Sequence, residues 1–472
     1  MTRWLCVLFA VLILTVGIVE YTMGLTPLEQ IMTVLGHTEG VSVATSSSDG
    51  IKTIRLGIAS WQKKEFPWDA TIAAYEKDHP DVRVRLSIIP DGSINSQLLF
   101  WAKSNHTEYD VVVAWADEEI HPFIDYNWNT PDPQRRSLLI NIRDYLTPEQ
   151  LDSFHPSLFV GCSRKDPQSG QMNIYEMPWL GEVLALNYSK EYFAQRGLAK
   201  PPETWDEVEE ACTKLKGLTD QYGNPVSPLS MNFANGGFFV QNCYIPMLAA
   251  IKGGKGPADD KGRLDISSPQ AIETFNRLKK WYQAGYISVN CMIPDSVEQD
   301  LRVKRSVMYP HWQSRGLFAV KDHGSQVIGI APTPGAKTSG ALAATYGCVI
   351  PKCSPNIPEA VEFCYQAFCT DKYGFQTAVA KGWRDDISGK IIGGGKMPVL
   401  KALYSRTDLP REITDLGSAL DRTYFYPDPA NWTQCADIML TEFQKFIKKD
   451  DATAEQALKS IARRFAQEVY HE

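Results

Sequence analysis

Five tryptophans stand where strand patterns stop or where loops are expected, and their placement is the chain's main hint of chemistry. Trp61 follows a strand pattern within Ala59-Ser60-Trp61-Gln62, and Trp115 ends an apolar run within Ala114-Trp115-Ala116-Asp117. Trp179 follows Met177-Pro178, Trp312 closes Tyr309-Pro310-His311-Trp312, and Trp383 follows Lys381-Gly382. A flat apolar ring beside polar groups suits a pyranose, whose C–H faces stack and whose equatorial hydroxyls hydrogen-bond. In open α/β sheets, ligands bind in the crevice at the carboxyl ends of strands. The expected chemistry is capture of a polyhydroxylated guest between indole rings.

Bond-making chemistry finds little support. H-E-x-x-H, G-x-S-x-G, G-x-x-x-x-G-K-[ST] and G-x-G-x-x-G are all absent, so zincin, serine-hydrolase, P-loop and Rossmann fingerprints are missing. The eight His are scattered without metal-ligand spacing, and the ten Cys form no C-x-x-C. Neither a metal nor a cofactor is expected. A carbohydrate hydrolase remains the enzymatic alternative, because its two carboxylates need no fixed spacing. Apart from Cys6, nine cysteines remain, an odd number, and buried thiols are the expectation.

Composition bounds the rest. With 48 Lys+Arg against 55 Asp+Glu, the formal charge of −7 gives no reason to bind a polyanion, and there is no dense basic stripe. Nucleic acid is therefore excluded as a partner. Hydrophobic residues at 44% and charged residues at 22% match a packed globular body, and 472 residues suffice for two or three domains' worth of core.

Trp4 to Val19 is a sixteen-residue stretch without a charge, preceded by Arg3 and followed by Glu20. It lies between the length of a signal h-region and that of a spanning helix. Thr22-Met23-Gly24 is a poor cleavage site, which favours an uncleaved anchor over residues 1–24. A cleaved signal is the alternative, and both place the body outside the cytosol. The stretch 25–50, with Ser46-Ser47-Ser48-Asp49 near its end, has the composition of a tether.

The elements that must position the tryptophans follow an α/β pattern. Ile54, Leu56 and Ile58 alternate as a strand, Pro67 leads a helical stretch to about Lys77, and Val82, Val84, Leu86 and Ile88 form a second strand. Ile94, Leu98, Trp101 and Ala102 share one helical stripe before the apolar strand Asp110-Val111-Val112-Val113-Ala114. Farther on, Thr204-x-x-Glu207 and Thr453-x-x-Gln456 have capping-box spacing, and Ser268-Pro269 supplies an N-cap and a first-turn proline, with Gly285 as the stop.

This order of segments resembles the extracellular solute-binding proteins of ABC importers, in their sugar-binding, maltose-binding-protein-like branch. The most specific stretch is Ile174-Tyr175-Glu176-Met177-Pro178-Trp179, then Leu184-Ala185-Leu186-Asn187-Tyr188, Gly197-Leu198 and Pro201-Pro202-Glu203-Thr204-Trp205-Asp206-Glu207. Ile328 to Gly335 resembles the family's return crossing, Tyr346-Gly347-Cys348-Val349-Ile350 the strand after it, and Pro358-Glu359-Ala360-Val361-Glu362-Phe363 a later helix.

The resemblance implies a periplasmic-binding-protein-like α/β fold of two lobes joined by hinge-crossing strands. Lobe I would hold residues 51–176 and 331–384, and lobe II residues 177–330 and 385–472. A carbohydrate would bind in the cleft, contacted by Trp61, Trp115, Asp117, Trp179, Glu182, Asn235, Trp312, Tyr346 and Trp383, with Asp117 and Glu182 accepting hydroxyl hydrogen bonds. Relatives often have Gly-Gly or Gly-Trp where this chain has Tyr346-Gly347. A lipobox is also missing, which leaves anchoring to the N-terminal segment. The implied partners are a carbohydrate ligand, the permease subunits of an ABC transporter and the cytoplasmic membrane, with the body a monomer. A membrane-tethered sensor of the same fold is the alternative.

Overall fold

Ile54, Leu56 and Ile58 are fully buried in β1 (Lys52–Ala59) of the computed structural model. It describes residues 50–472 apart from 91–92, 95–96, 98–99, 102–103, 117–118, 125–136, 294–295, 387 and 428–430. The expected anchor and tether at residues 1–49, and Asp117, lie outside the described residues. Among the described residues, no helix is long and apolar enough to cross a membrane.

Helices Ser60–Glu65 and Trp68–Asp78 follow β1 and lead to β2 (Val82–Ile89), the expected βαβ unit. β3 (Val111–Trp115) pairs with β1 in parallel, Leu56 against Val111. A small hairpin, β4 (Ser163–Lys165) and β5 (Met172–Ile174), precedes the long β6 (Met177–Ser189). Then come β7 (Leu218–Thr219), β8 (Pro225–Leu229), β9 (Ser306–Trp312), β10 (Ile328–Pro332) and β11 (Ala341–Val349). A second hairpin, β12 (Trp383–Arg384) and β13 (Ile391–Ile392), and the short β14 (Thr423–Tyr424) complete the set. The main sheet runs β2-β1-β3-β11-β6-β9-β8-β7, with β10 added on β6 and β14 on β11.

The caps form where the spacing predicts. Thr204 and Glu207, and Thr453 and Gln456, make reciprocal capping boxes at helices Trp205–Leu215 and Ala454–Arg464. Ser268 accepts from the Ala271 amide at the head of helix Pro269–Gln283.

Two large hydrophobic cores flank the middle of this sheet, beside a small third cluster of Val297, Leu301, Tyr309, Ala319 and Ile328. The first is built from residues between Ile54 and Val183, Leu317, and residues between Cys348 and Leu420, and the second from residues between Leu184 and Val307 with Met308 and Trp312, together with Leu342, Ala344 and residues between Tyr426 and Val469. β6 changes core between Val183 and Leu184, and β11 does so between Ala344 and Cys348, so these two strands join the halves. The expected return crossing at Ile328–Gly335 instead contributes β10, which pairs with the second-core half of β6 from Ala185 to Ser189.

Met177, Leu180 and Val183 pack in the first core, as do Met397, Leu409 and Leu420, whereas Leu342 and Ala344 pack in the second. A crossing strand buried along its whole length reads as one apolar run, which does not mark where one core gives way to the next. Burial pushes the thiols of Cys348, Cys364 and Cys369 up from the ordinary cysteine range, as expected of packing residues.

Candidate ligand site

Strand register brings three of the expected aromatics to one place, and Trp61 joins them from the helix after β1. Directly paired residues on neighbouring strands point to the same face, and residues two apart on one strand do likewise. Tyr346 on β11 pairs with Trp115 on β3 and with Leu180 on β6, and Ala344 pairs with Glu182. Leu184 on β6 pairs with Trp312 on β9. Trp115, Tyr346, Glu182 and Trp312 thus share one face of the sheet, where β6 and β11 pass between the cores.

The rings form a continuous contact chain. Trp115 meets Tyr346 edge to face with centroids 4.1 Å apart, Tyr346 meets Trp61 at 5.2 Å, and Trp115 meets Trp312 at 6.2 Å with a 55° tilt. Trp61 and Tyr346 pack against the first core, whereas Trp115 packs against the second and Trp312 belongs to it. The cluster therefore spans the seam between the halves. Trp61, Trp115 and Tyr346 are half-buried.

Local hydrogen bonds hold the rings in place. Trp61 sits at the head of the helix after β1, where Gln62 Oε1 accepts from the Ala59 amide at 2.8 Å. The Trp115 amide donates to Glu119 Oε2 at 2.8 Å, and the Ala116 amide donates to the Thr345 carbonyl, locking the end of β3 to β11. Asn187 on β6 donates from Nδ2 to the carbonyls of Tyr309 and His311 at 3.2 Å, fixing the end of β9.

A loop containing Gly393, Gly394 and Gly395 runs close against Glu65, Gly382 and Leu317. At Gly393 (φ +62°) a Cβ would lie 1.9 Å from the Glu65 carbonyl oxygen, and at Gly394 (φ +76°) 2.2 Å from the Gly382 nitrogen, so only glycine lets the chain pass. Gln313, at the start of helix Gln313–His323, accepts from the Val183 amide at 2.6 Å and donates to the Gly395 carbonyl at 3.2 Å. Lys321 donates to the Gly393 carbonyl. Burial holds its ammonium below the ordinary lysine range, against the pull of the Glu65 carboxylate. Next along the loop, Lys396 forms an ion pair with Glu182.

Comparison with known proteins decides the family. Residues 62–364, more than half of the chain, match the model of the bacterial extracellular solute-binding proteins. This chain belongs to that family. An uncharacterized ABC transporter extracellular-binding protein of Pyrococcus horikoshii is 22% identical over 339 residues, covering 69% of this chain and 70% of that one. The maltose-bound MalE3 of T. maritima has a TM-score of 0.64 at 19% identity, covering 88% of this chain and 99% of that one. The GacH receptor of Streptomyces glaucescens, solved unliganded and with acarbose, has a TM-score of 0.66 at 14% identity, with 88% and 98% covered. The fold is the two-lobe α/β fold of periplasmic binding proteins.

Within this solute-binding protein, the expected contacts differ in burial and placement. Trp179 is fully buried, with its ring against Phe66, Trp68 and Phe375 in the first core. It is the extra residue of a bulge, because Tyr346 pairs with Leu180 while Gly347 pairs with Pro178. Trp312 is only 4% exposed and touches Trp115, so no guest lies between those two indoles; Trp61, Trp115 and Tyr346 are the less buried members of the cluster. Glu182 is buried in its ion pair. Asn235 is exposed and caps helix Gly236–Phe239, its Oδ1 accepting from the Phe238 amide at 3.0 Å. Trp383 is half-buried, its Nε1 donating to the Glu65 carbonyl at 3.2 Å, and it makes no ring contact with the four-ring cluster among the described residues.

Lys396, Ser314 and Gln313 were not among the expected residues. The run Gly393-Gly394-Gly395 ahead of Lys396 was the available signal, since consecutive glycines mark close backbone approach. Two cavities lie elsewhere and include none of the expected contacts: one of about 520 Å³ beside Asn141 and Asn173, and one of about 560 Å³ beside Tyr188 and Phe193.

Proposed function

We propose that this solute-binding protein captures a neutral sugar or oligosaccharide outside the cytoplasmic membrane and delivers it to the permease of an ABC transporter. The observation that carries the reading is the half-buried cluster of Trp61, Tyr346 and Trp115 on the strands joining the two cores, backed by Trp312. Ring faces beside hydrogen-bonding groups are what a pyranose requires. The sugar-bound relatives of the same fold agree with this ligand class.

A guest touching both halves binds the closed arrangement more tightly than the open one, and only that difference drives closure. The hinge is formed by β6 and β11, the strands that change core. Closure alters the surface that a permease meets. The uncharged stretch Trp4–Val19 tethers the body to the membrane in this reading. Ligand that binds the native state raises its stability, so thermal-shift screening over mono-, di- and trisaccharides tests the reading. A sugar-specific rise in Tm is expected, whereas no response across the panel would count against it.

A further inference from the structure

Glu182 and Lys396 form an ion pair with side chains only 3% and 10% exposed. Ser314 Oγ donates to the same carboxylate oxygen, Oε1, at 3.0 Å, and Lys396 Nζ lies 3.4 Å from that hydroxyl. The other oxygen, Oε2, is buried without a hydrogen-bond partner among the described residues. Buried carboxylates ordinarily have their acceptor sites engaged, because lost hydration is costly. Glu182 shares its sheet face with the aromatic cluster, and on that face Trp115 Nε1 is a buried donor that also lacks a partner among the described residues.

We infer that Lys396 sets the charge preference of this site, making it select an uncharged, hydroxyl-bearing guest over an amine-bearing one. This rests on the sugar-binding reading and deepens it. A hydroxyl can donate to Glu182 Oε2 and accept from an indole N–H, meeting both kinds of unfilled group without adding charge. A lone carboxylate in a water-poor seam would instead favour an ammonium group. Lys396 already supplies that ammonium at Oε1, so an amino sugar meets a like charge and gains no ion pair. Lys396 is a positioning and charge-compensating residue, and it acts through Glu182.

The test is titration calorimetry at pH 7 with D-glucose, D-galactose, D-mannose and maltose, the corresponding 2-amino monosaccharides, and D-glucuronate and D-galacturonate. The wild type should prefer a neutral sugar to its amino counterpart by about tenfold or more. Lys396→Met should erase or reverse that ratio, and Lys396→Arg should keep it. Glu182→Gln, which leaves the ammonium uncompensated, should keep the rejection of amino sugars and gain affinity for a uronate. It carries the test if Lys396→Met does not fold. Neutral-sugar binding with an unchanged amine ratio in Lys396→Met, or with no uronate gain in Glu182→Gln, overturns the inference and leaves the sugar-binding reading standing. A wild type that binds none of the neutral sugars overturns both.

Discussion

Two groups of indoles in this protein have similar composition and different surroundings. In the first core, Trp68 and Trp179 pack with Phe66, Phe368 and Phe375, their centroids 4.8 to 6.4 Å apart, and Trp68 and Trp179 are almost wholly shielded. At the seam, Trp61, Trp115 and Tyr346 touch at similar distances but are only half-buried. Ring density therefore does not mark a binding site. What separates the groups is their placement: the bulge at Trp179 turns that indole into one core, while the register of β3, β11 and β9 gathers Trp115, Tyr346 and Trp312 where two cores meet, with Trp61 joining from the helix after β1.

The largest expected contrast comes from Trp179→Ala. Emptying that interior should lower stability by about 3–5 kcal/mol, read as a fall in denaturant midpoint, while folded protein keeps its sugar affinity. Trp115→Ala should do the opposite: a loss of binding of about 10- to 100-fold, or about 1.4–2.8 kcal/mol, with a smaller stability change than Trp179→Ala. Equal effects of both variants on stability and on binding would erase the distinction between the groups. Thr453→Ala, far from both in the capping box of helix Ala454–Arg464, should cost about 1 kcal/mol of stability and leave binding alone in the same titrations. Tyr346→Leu keeps apolar bulk but removes two edge contacts; about 0.5–1 kcal/mol of binding should go, a loss of severalfold in affinity.

Much of the fold was legible because its local signals agree with its packing. Alternation over Ile54–Ile58, the capping boxes at Thr204 and Thr453, and the proline at Pro269 each act within one turn or one strand, where sequence and structure are in direct correspondence. The site was legible in part. Trp61 and Trp115 follow strand ends, so their meeting place follows from topology. Trp179 and Glu182 both lie on the uniformly buried β6, where no polar alternation shows which face each residue takes and a one-residue bulge resets the count. Lys396 reaches Glu182 over 214 positions of sequence, a contact that only the folded glycine loop creates.

In the sugar-binding reading, sugar meets the seam indoles and leaves the core indoles untouched. Indole N–H resonances of a 15N-labelled sample, followed during titration with a binder from the saccharide panel, report on each tryptophan separately. Saturable shifts for Trp115 and Trp61, with Trp68 and Trp179 stationary, are predicted. Movement of Trp179 equal to that of Trp115, or saturation with all four unmoved, would contradict it.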